Sequence, residues 1–174
     1  MIFFVFKALY KLMKKRFKIK SININGILIE LECDDNVKKL ANEVWIELST
    51  RKIALPFDEE NDVIVEVYNS WYKTFEMFRK ILKDIPLENN KNVDKLTNII
   101  LEIINGTLRN HLTRWQARFR KWYKLNECSA GDPQEIQKKY PYYNELVADL
   151  KKVNYNMIEL KNELNKIRRE WYKW

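Results

Sequence analysis

Glycine, proline, cysteine and histidine are scarce in this 174-residue chain, which contains 3 Gly, 4 Pro, 2 Cys and 1 His. So few glycines and prolines argue against a turn-rich β sandwich or a glycine-rich phosphate loop, and they favour helices. A single histidine excludes a histidine-based metal cluster, and the HExxH, CxxC and GxxxxGK[ST] motifs are absent. Cys33 and Cys128 make no disulfide framework, which favours a reducing, cytoplasmic setting. We therefore expect no metal and no small-molecule cofactor.

The amino-acid composition predicts a packed, mainly α-helical protein. Apolar residues make up 46% of the chain and aromatic residues 13%, which is typical of a globule and not of a disordered chain. The length allows one domain with an appendage. We expect a membrane-associated amphipathic helix over residues 1–20, a β-hairpin connector over 21–34, and a helical bundle over 35–174.

The positive charge is concentrated at one end of the chain. The whole chain has 32 basic and 24 acidic residues, and residues 1–20 contain seven of the basic residues and no acidic one. The rest of the chain is therefore almost neutral. This distribution favours a membrane-surface role for the N-terminal segment over a nucleic-acid footprint that covers the whole protein.

The N-terminal segment combines an apolar run with a stripe of lysines. The run MIFFVFKALYKLM is about 13 residues long, whereas a single bilayer-spanning helix needs about 20. Four lysines recur at intervals of 4, 3 and 4 residues and share one helix face: Lys7, Lys11, Lys14 and Lys18. The helix could lie flat on an anionic leaflet, cross the membrane in a ring of copies with these lysines lining a pore, or belong to an ordinary soluble protein. Basic residues after the apolar run favour a cytoplasmic body at the inner membrane.

Alternating apolar residues on both sides of Asn25-Gly26 predict a β-hairpin. Ile22 and Ile24 alternate before this dipeptide, and apolar side chains continue the alternation from Ile27 to Cys33. Asn-Gly between two such runs is a strong signal for a two-residue hairpin turn. Because two strands alone are marginally stable, we expect the hairpin to lean on helices or on another copy.

Three helices are expected after the hairpin. The first has Asp34 or Asp35 as its N-cap and an inner face formed by Val37, Leu40, Ala41, Val44 and Leu48. The second is capped by Asp62, and its inner face comprises Ile64, Val67, Tyr68, Trp71, Phe75, Phe78 and Leu82. The third runs from about Val93 to Leu125, with Gly106 at a kink or a close helix contact.

The part of the third helix from Asn105 to Tyr123 has two stripes at helical spacing. The apolar stripe consists of Leu108, Leu112, Trp115, Phe119 and Trp122, and the basic stripe consists of His111, Arg114, Arg118 and Lys121. In one interpretation the aromatic residues are core, the arginines pair with neighbouring acids, and His111 is a buried, hydrogen-bonded structural residue. In the other, His111 and its polar neighbours form a functional site.

A heptad seam runs along the final helix. Apolar residues repeat at alternating intervals of 4 and 3: Leu146, Leu150, Val153, Met157, Leu160, Leu164, Ile167 and Trp171. The seam could pack within the bundle or against the same helix of another copy, and the sequence favours neither alternative.

Two features resemble known families. Asn105, five intervening residues and His111, beside Arg109 in a body of four to five helices, resemble a diverged HEPN domain, whose RNases carry Arg-x4–6-His. The segments ELSTRKIALPFDEENDVIVEVYNSWY and LRNHLTRWQARFRKWY, after a short basic membrane-like N-terminus, resemble the small Csx-type accessory proteins encoded beside the RNA-guided RNase of type VI-B CRISPR loci.

The resemblance implies an oligomeric, membrane-associated antiphage effector. Its bodies would assemble in the cytoplasm and join their N-terminal helices into a pore that permeabilises the inner membrane, in concert with the RNA-guided RNase or its RNA. The alternative is an HEPN-type RNA-binding or RNA-cleaving protein that uses His111 with Asn105 and Arg109. Because Asn105 supplies no positive charge where HEPN RNases have arginine, we expect no enzyme activity.

Overall fold

The computed structural model describes residues 19–24, 27–85, 90–127 and 131–169, which form one hairpin and five helices. The elements are β1 (Ile19–Ile24), β2 (Ile27–Glu32), α1 (Asp35–Thr50), α2 (Ile64–Lys83), α3, α4 (Pro133–Lys138) and α5 (Tyr143–Arg168). Helix α3 comprises Lys91–Ile103, Arg109–His111 and Ala117–Asn126, which are joined by π-helical turns at Ile104–Leu108 and Leu112–Gln116. The prediction of a mainly helical protein with a short hairpin is confirmed.

The hairpin is fastened to the helices along both of its edges. In the antiparallel register, Ile24 pairs with Ile27 and Ile22 with Ile29, as the Asn25-Gly26 signal predicts. The outward N–H of Asn23 donates to Glu163 of α5 at 3.4 Å, and the outward N–H of Glu32 donates to Asn92 of α3 at 3.2 Å. These side chains occupy hydrogen-bonding groups that an unpaired edge strand would offer to another chain.

The boundary between the N-terminal segment and the hairpin lies earlier than expected. Strand β1 begins at Ile19, so Ile19 and Lys20 belong to the hairpin and not to a helix over residues 1–20. The lysines of the predicted membrane stripe, Lys7, Lys11, Lys14 and Lys18, lie outside the described residues. None of the helices in the described part of the chain is long and apolar enough to cross a bilayer.

Helix α1 agrees with its prediction, whereas the start of α2 differs. Asp34 caps α1 by accepting the N–H of Val37 at 2.8 Å, and all five predicted inner residues are buried. The Asp62 carboxylate instead lies 2.7 Å from Lys52 Nζ, so the prediction that Asp62 caps α2 is wrong. The buried amide of Gln137 accepts the N–H of Ile64 at 2.8 Å in its place.

The two π-helical turns change which side of α3 faces the core. A π turn holds more residues than an α turn, so it rotates the following residues relative to a regular α-helix. His111 and Tyr123 are buried, whereas Leu112 and Trp122 of the predicted apolar stripe are only partly buried. His111 lies three residues after Leu108 and four before Trp115, on the same buried face, so its placement on an outward basic stripe is wrong. A Cβ atom added at Gly106 would meet nothing within 4 Å, which excludes a close contact there with any described residue.

The heptad seam faces the interior of the chain itself. Helix α5 packs along α1 and against the hairpin, and seven seam residues are at most 2% exposed: Leu146, Leu150, Val153, Met157, Leu160, Leu164 and Ile167. Of the two alternatives, packing within the bundle is the one observed, and the alternative in which these seven residues form an oligomer seam is wrong because the helices of the same chain already bury them. The eighth, Trp171, lies outside the described residues, as does Cys128.

Candidate functional site

The imidazole of His111 is at the centre of a buried polar network. Its Nδ1 lies 2.8 Å from Oδ2 of Asp149 on α5, and its Nε2 lies 3.1 Å from the hydroxyl of Tyr68 on α2. Trp115 Nε1 donates to the same Asp149 oxygen at 2.8 Å. The Trp71 ring packs against the imidazole at a centroid distance of 5.3 Å. The network thus joins α2, α3 and α5.

Burial and hydrogen bonding fix the protonation state of His111. Desolvation by burial lowers its pKa below the ordinary value, more strongly than Asp149 raises it, so the ring is neutral near pH 7. Since a carboxylate only accepts, the single ring proton is on Nδ1 and points at Asp149. Burial raises the pKa of Tyr68, so its hydroxyl stays protonated and donates a hydrogen bond to Nε2 of His111.

Both nitrogens of His111 are consequently occupied by the fold. A general base needs a lone pair within hydrogen-bonding reach of its substrate, and the lone pair on Nε2 already accepts from the buried Tyr68 hydroxyl. The residue as a whole is only 2% exposed. This geometry matches the interpretation of His111 as a hydrogen-bonded structural residue.

Asn105 and Arg109 are exposed residues that bond to each other, whereas His111 is buried. Arg109 Nε donates to Asn105 Oδ1 at 3.1 Å, and its guanidinium group lies 5.3 Å from the ring centroid of Phe75. The amide of Asn105 is thus used in holding Arg109. The structure therefore does not show the three candidate catalytic residues of the HEPN-like pattern as one hydrogen-bonded cluster.

The three remaining members of the basic stripe are exposed. Arg114, Arg118 and Lys121 follow one another on α3, and the guanidinium carbon of Arg114 lies 4.8 Å from the ring centroid of Trp115. None of the three forms an ion pair with any residue that the structure describes. Between Glu102 and Glu127 the helix contains six basic residues and no acidic one.

An aromatic cluster adjoins this stripe. Tyr140 packs on Phe119 and Trp122, with both centroid distances at 5.2 Å, and contacts Tyr142 at 5.9 Å. The Tyr142 side chain is 57% exposed. This cluster is not among the predicted site residues, although the aromatic run around Pro141 was its visible signal in the sequence.

A surface pocket of about 360 Å³ lies between α1, α2 and the start of α3. Leu40, Met77 and Ile81 supply apolar lining, while Lys39 and Glu43 contribute opposite charges. This mixture selects no particular ligand charge. Within the described ranges, no group of three or more His, Cys, Asp or Glu residues is arranged to hold a metal ion.

Asp149 is the member of the network that sequence reasoning did not identify. It follows the seam residue Leu146 by three positions and has no motif around it, so nothing in the sequence connected it with a histidine 38 residues earlier. No protein-family model matches this chain, and no curated protein or solved structure is detectably similar to it.

Proposed function

We propose that this protein is an oligomeric, membrane-associated antiphage effector whose N-terminal segment permeabilises the inner membrane while its helical body stays in the cytoplasm. The observation that carries the proposal is the composition of residues 1–20, which combine an apolar run with seven basic residues and no acid. Such a segment is attracted to anionic lipid, and its apolar side gains from burial in the acyl region. The resemblance to the Csx-type accessory proteins supports a role beside an RNA-guided RNase, and a HEPN-like origin of the body.

The attachment of the hairpin suits a segment that must be held close to the body. The segment ends where β1 begins, and Ile22 of β1 is fully buried between the helices. Leu31 of β2 is also fully buried, and Asn23 bonds to Glu163. The hairpin is therefore a fixed part of the body, and it supplies an anchored attachment point for a membrane segment in the proposed assembly.

A ring of copies would solve the problem that the lysine stripe creates in lipid. An ammonium group at bilayer depth is costly unless it faces water. In a ring, Lys7, Lys11, Lys14 and Lys18 would face a wet lumen while the apolar side faces the lipid. The self-association surface is then expected outside the buried heptad seam.

The alternative of an HEPN-type RNase has less support. Its proposed base, His111, is buried and has both ring nitrogens in hydrogen bonds, and Asn105 is bonded to Arg109. If the alternative were correct, His111→Gln would abolish RNA turnover even where the fold is retained.

The test is dye release from vesicles that contain anionic phosphatidylglycerol. The full chain should bind such vesicles and release the dye, because the basic apolar segment inserts. Replacing Lys7, Lys11, Lys14 and Lys18 by glutamate should abolish binding and release. The matched control replaces four basic residues of α2 in the body by glutamate: Lys73, Arg79, Lys80 and Lys83. This variant should retain both vesicle binding and dye release.

Two results would contradict the proposal. One is full dye release by the variant with four N-terminal glutamates. The other is a monomeric mass for the detergent-solubilised wild-type particle, since one copy cannot enclose a lumen.

A further inference from the structure

We infer that the outer surface of α3 and the adjoining aromatic cluster bind single-stranded nucleic acid. We define this basic-aromatic surface by Arg114, Arg118, Lys121, Trp122 and Tyr142. It adjoins the buried His111 network where the Arg114 guanidinium carbon lies 4.8 Å from the Trp115 ring centroid, but none of its five residues is a hydrogen-bonding member of that network. The inference goes beyond the proposed membrane function and does not depend on it.

The cations of this surface are available to a ligand. Arg114, Arg118 and Lys121 are exposed and form no ion pair with the described residues. Two other basic residues nearby are already engaged: Arg120 donates to Asn69 at 2.8 Å, and Lys138 bridges Glu60 and Glu135. The three cations lie within eight consecutive residues of one helix, and the first and last are about 10 Å apart along its axis. A row of this kind suits successive phosphate groups on one strand.

The aromatic groups beside the cations supply faces for stacking. Tyr142 is 57% exposed and rests against Tyr140, which in turn packs on the partly buried Trp122. The charge of Arg118 acts on this cluster, because it lowers the pKa of Tyr140, although burial raises that pKa by more. Exposed rings beside cations are the combination by which proteins hold unpaired bases and their phosphates.

Charge and exposed rings together favour a single strand over other polyanions. An acidic protein segment would use the cations but has no bases to stack on Tyr142. A duplex keeps its bases stacked on each other and so does not offer their faces. A membrane surface would likewise use the cations, but lipid headgroups have no bases to stack on Tyr142.

The first experiment measures charge with a short fluorescein-labelled oligouridylate and the full-length protein. The variant Arg114→Gln/Arg118→Gln/Lys121→Gln should bind about 50-fold more weakly at about 0.15 M salt, and the slope of log K against log salt should fall by about 2, because three phosphate contacts are lost. The matched control Lys73→Gln/Arg79→Gln/Lys83→Gln removes the same charge from exposed positions of α2 and should bind as wild type. Both variants retain the N-terminal segment, so any non-specific attraction of the oligonucleotide to that segment is the same in both and cancels when their affinities are compared.

The second experiment measures stacking. Tyr142→Ala should weaken binding about tenfold at every salt concentration, whereas Tyr142→Phe keeps the ring and the affinity. Tyr155→Ala is the matched control, because Tyr155 is 60% exposed on another part of α5 and should have no effect. Equal melting temperatures for these variants and the wild type verify that the fold is unchanged.

Three results would overturn the inference. The two triple variants could lose affinity equally, Tyr142→Ala could bind like wild type, or duplex RNA could bind as tightly as the single strand. Polyglutamate that displaces the oligonucleotide at equal charge, with no effect of Tyr142→Ala, would assign the surface to an acidic protein partner instead.

Discussion

Replacing Asp149 by alanine removes the acceptor that two buried N–H groups share. His111 Nδ1 and Trp115 Nε1 both lie 2.8 Å from Asp149 Oδ2, and these two donor residues are 2% and 4% exposed. Hydrogen bonds to a charged group contribute about 1.5–3 kcal/mol each. The Asp149 side chain is 31% exposed, so water can reach part of the site and the lower end of that range applies. We expect Asp149→Ala to reduce the free energy of unfolding by about 3 kcal/mol.

The assay is thermal and urea unfolding followed by circular dichroism at 222 nm. For a chain of this size, each kcal/mol shifts the melting temperature by about 2–4 °C, so Asp149→Ala should melt about 6–12 °C below wild type. Asp149→Asn retains one acceptor oxygen without its charge and should lose about half as much. Glu145→Ala, which removes an exposed carboxylate one turn earlier on α5, should change the free energy of unfolding by less than about 0.5 kcal/mol.

The reasoning would be refuted if Asp149→Ala and Glu145→Ala were equally stable. In that case the two donors would not depend on this carboxylate, and the network would not join α3 to α5. A loss by Asp149→Asn as large as that by Asp149→Ala would instead show that the charge, and not the acceptor geometry, carries the effect.

Two further stability measurements test other buried polar groups. Burial lowers the pKa of His111 in the folded state. Below about pH 6.5 the unfolded chain therefore binds a proton that the folded chain does not. The free energy of unfolding should fall with decreasing pH by at most about 1.4 kcal/mol per pH unit. His111→Gln should show a shallower loss between about pH 6.5 and 5.5 in urea titrations, and an unchanged slope would contradict the assignment. Asn154 donates to the carbonyl oxygens of Lys52, Ile53 and Leu55 and accepts the N–H of Phe57. Asn154→Ala should reduce the free energy of unfolding by about 2–4 kcal/mol. Asn154→Asp should reduce it further, because a carboxylate would face three carbonyl oxygens. Urea unfolding in which Asn154→Asp is the milder change would contradict this prediction.

Features set by neighbouring residues could be predicted from the sequence. The Asn25-Gly26 signal led to the hairpin, since the two-residue connection between Ile24 and Ile27 is a local property. The Asp34 cap and the inner face of α1 depend on helical spacing and on one hydrogen bond within the first turn. These signals need no knowledge of the tertiary fold.

Features that depend on distant partners could not be predicted. Gln137 caps α2 from 73 residues away, and Asp149 orients His111 from a different helix. The two π turns in α3 rotate the helix by an amount that regular 3.6-residue spacing does not contain, so Tyr123 is buried where the predicted stripe has Trp122. The heptad repeat of α5 predicted an apolar stripe, but the same repeat occurs in helices that pack inside one chain and in helices that pair between two chains.

The arrangement of contacts along α5 suggests how the two proposed surfaces divide their tasks. Glu163 holds the hairpin near one end of the helix, Asp149 fixes α3 in the middle, and Tyr142 precedes the other end. About 30 Å of helix separates the contact of Glu163 with the hairpin from Tyr142 at the basic-aromatic surface. In the proposed assembly, lipid and nucleic acid would therefore be bound by different parts of the chain, the N-terminal segment and the basic-aromatic surface.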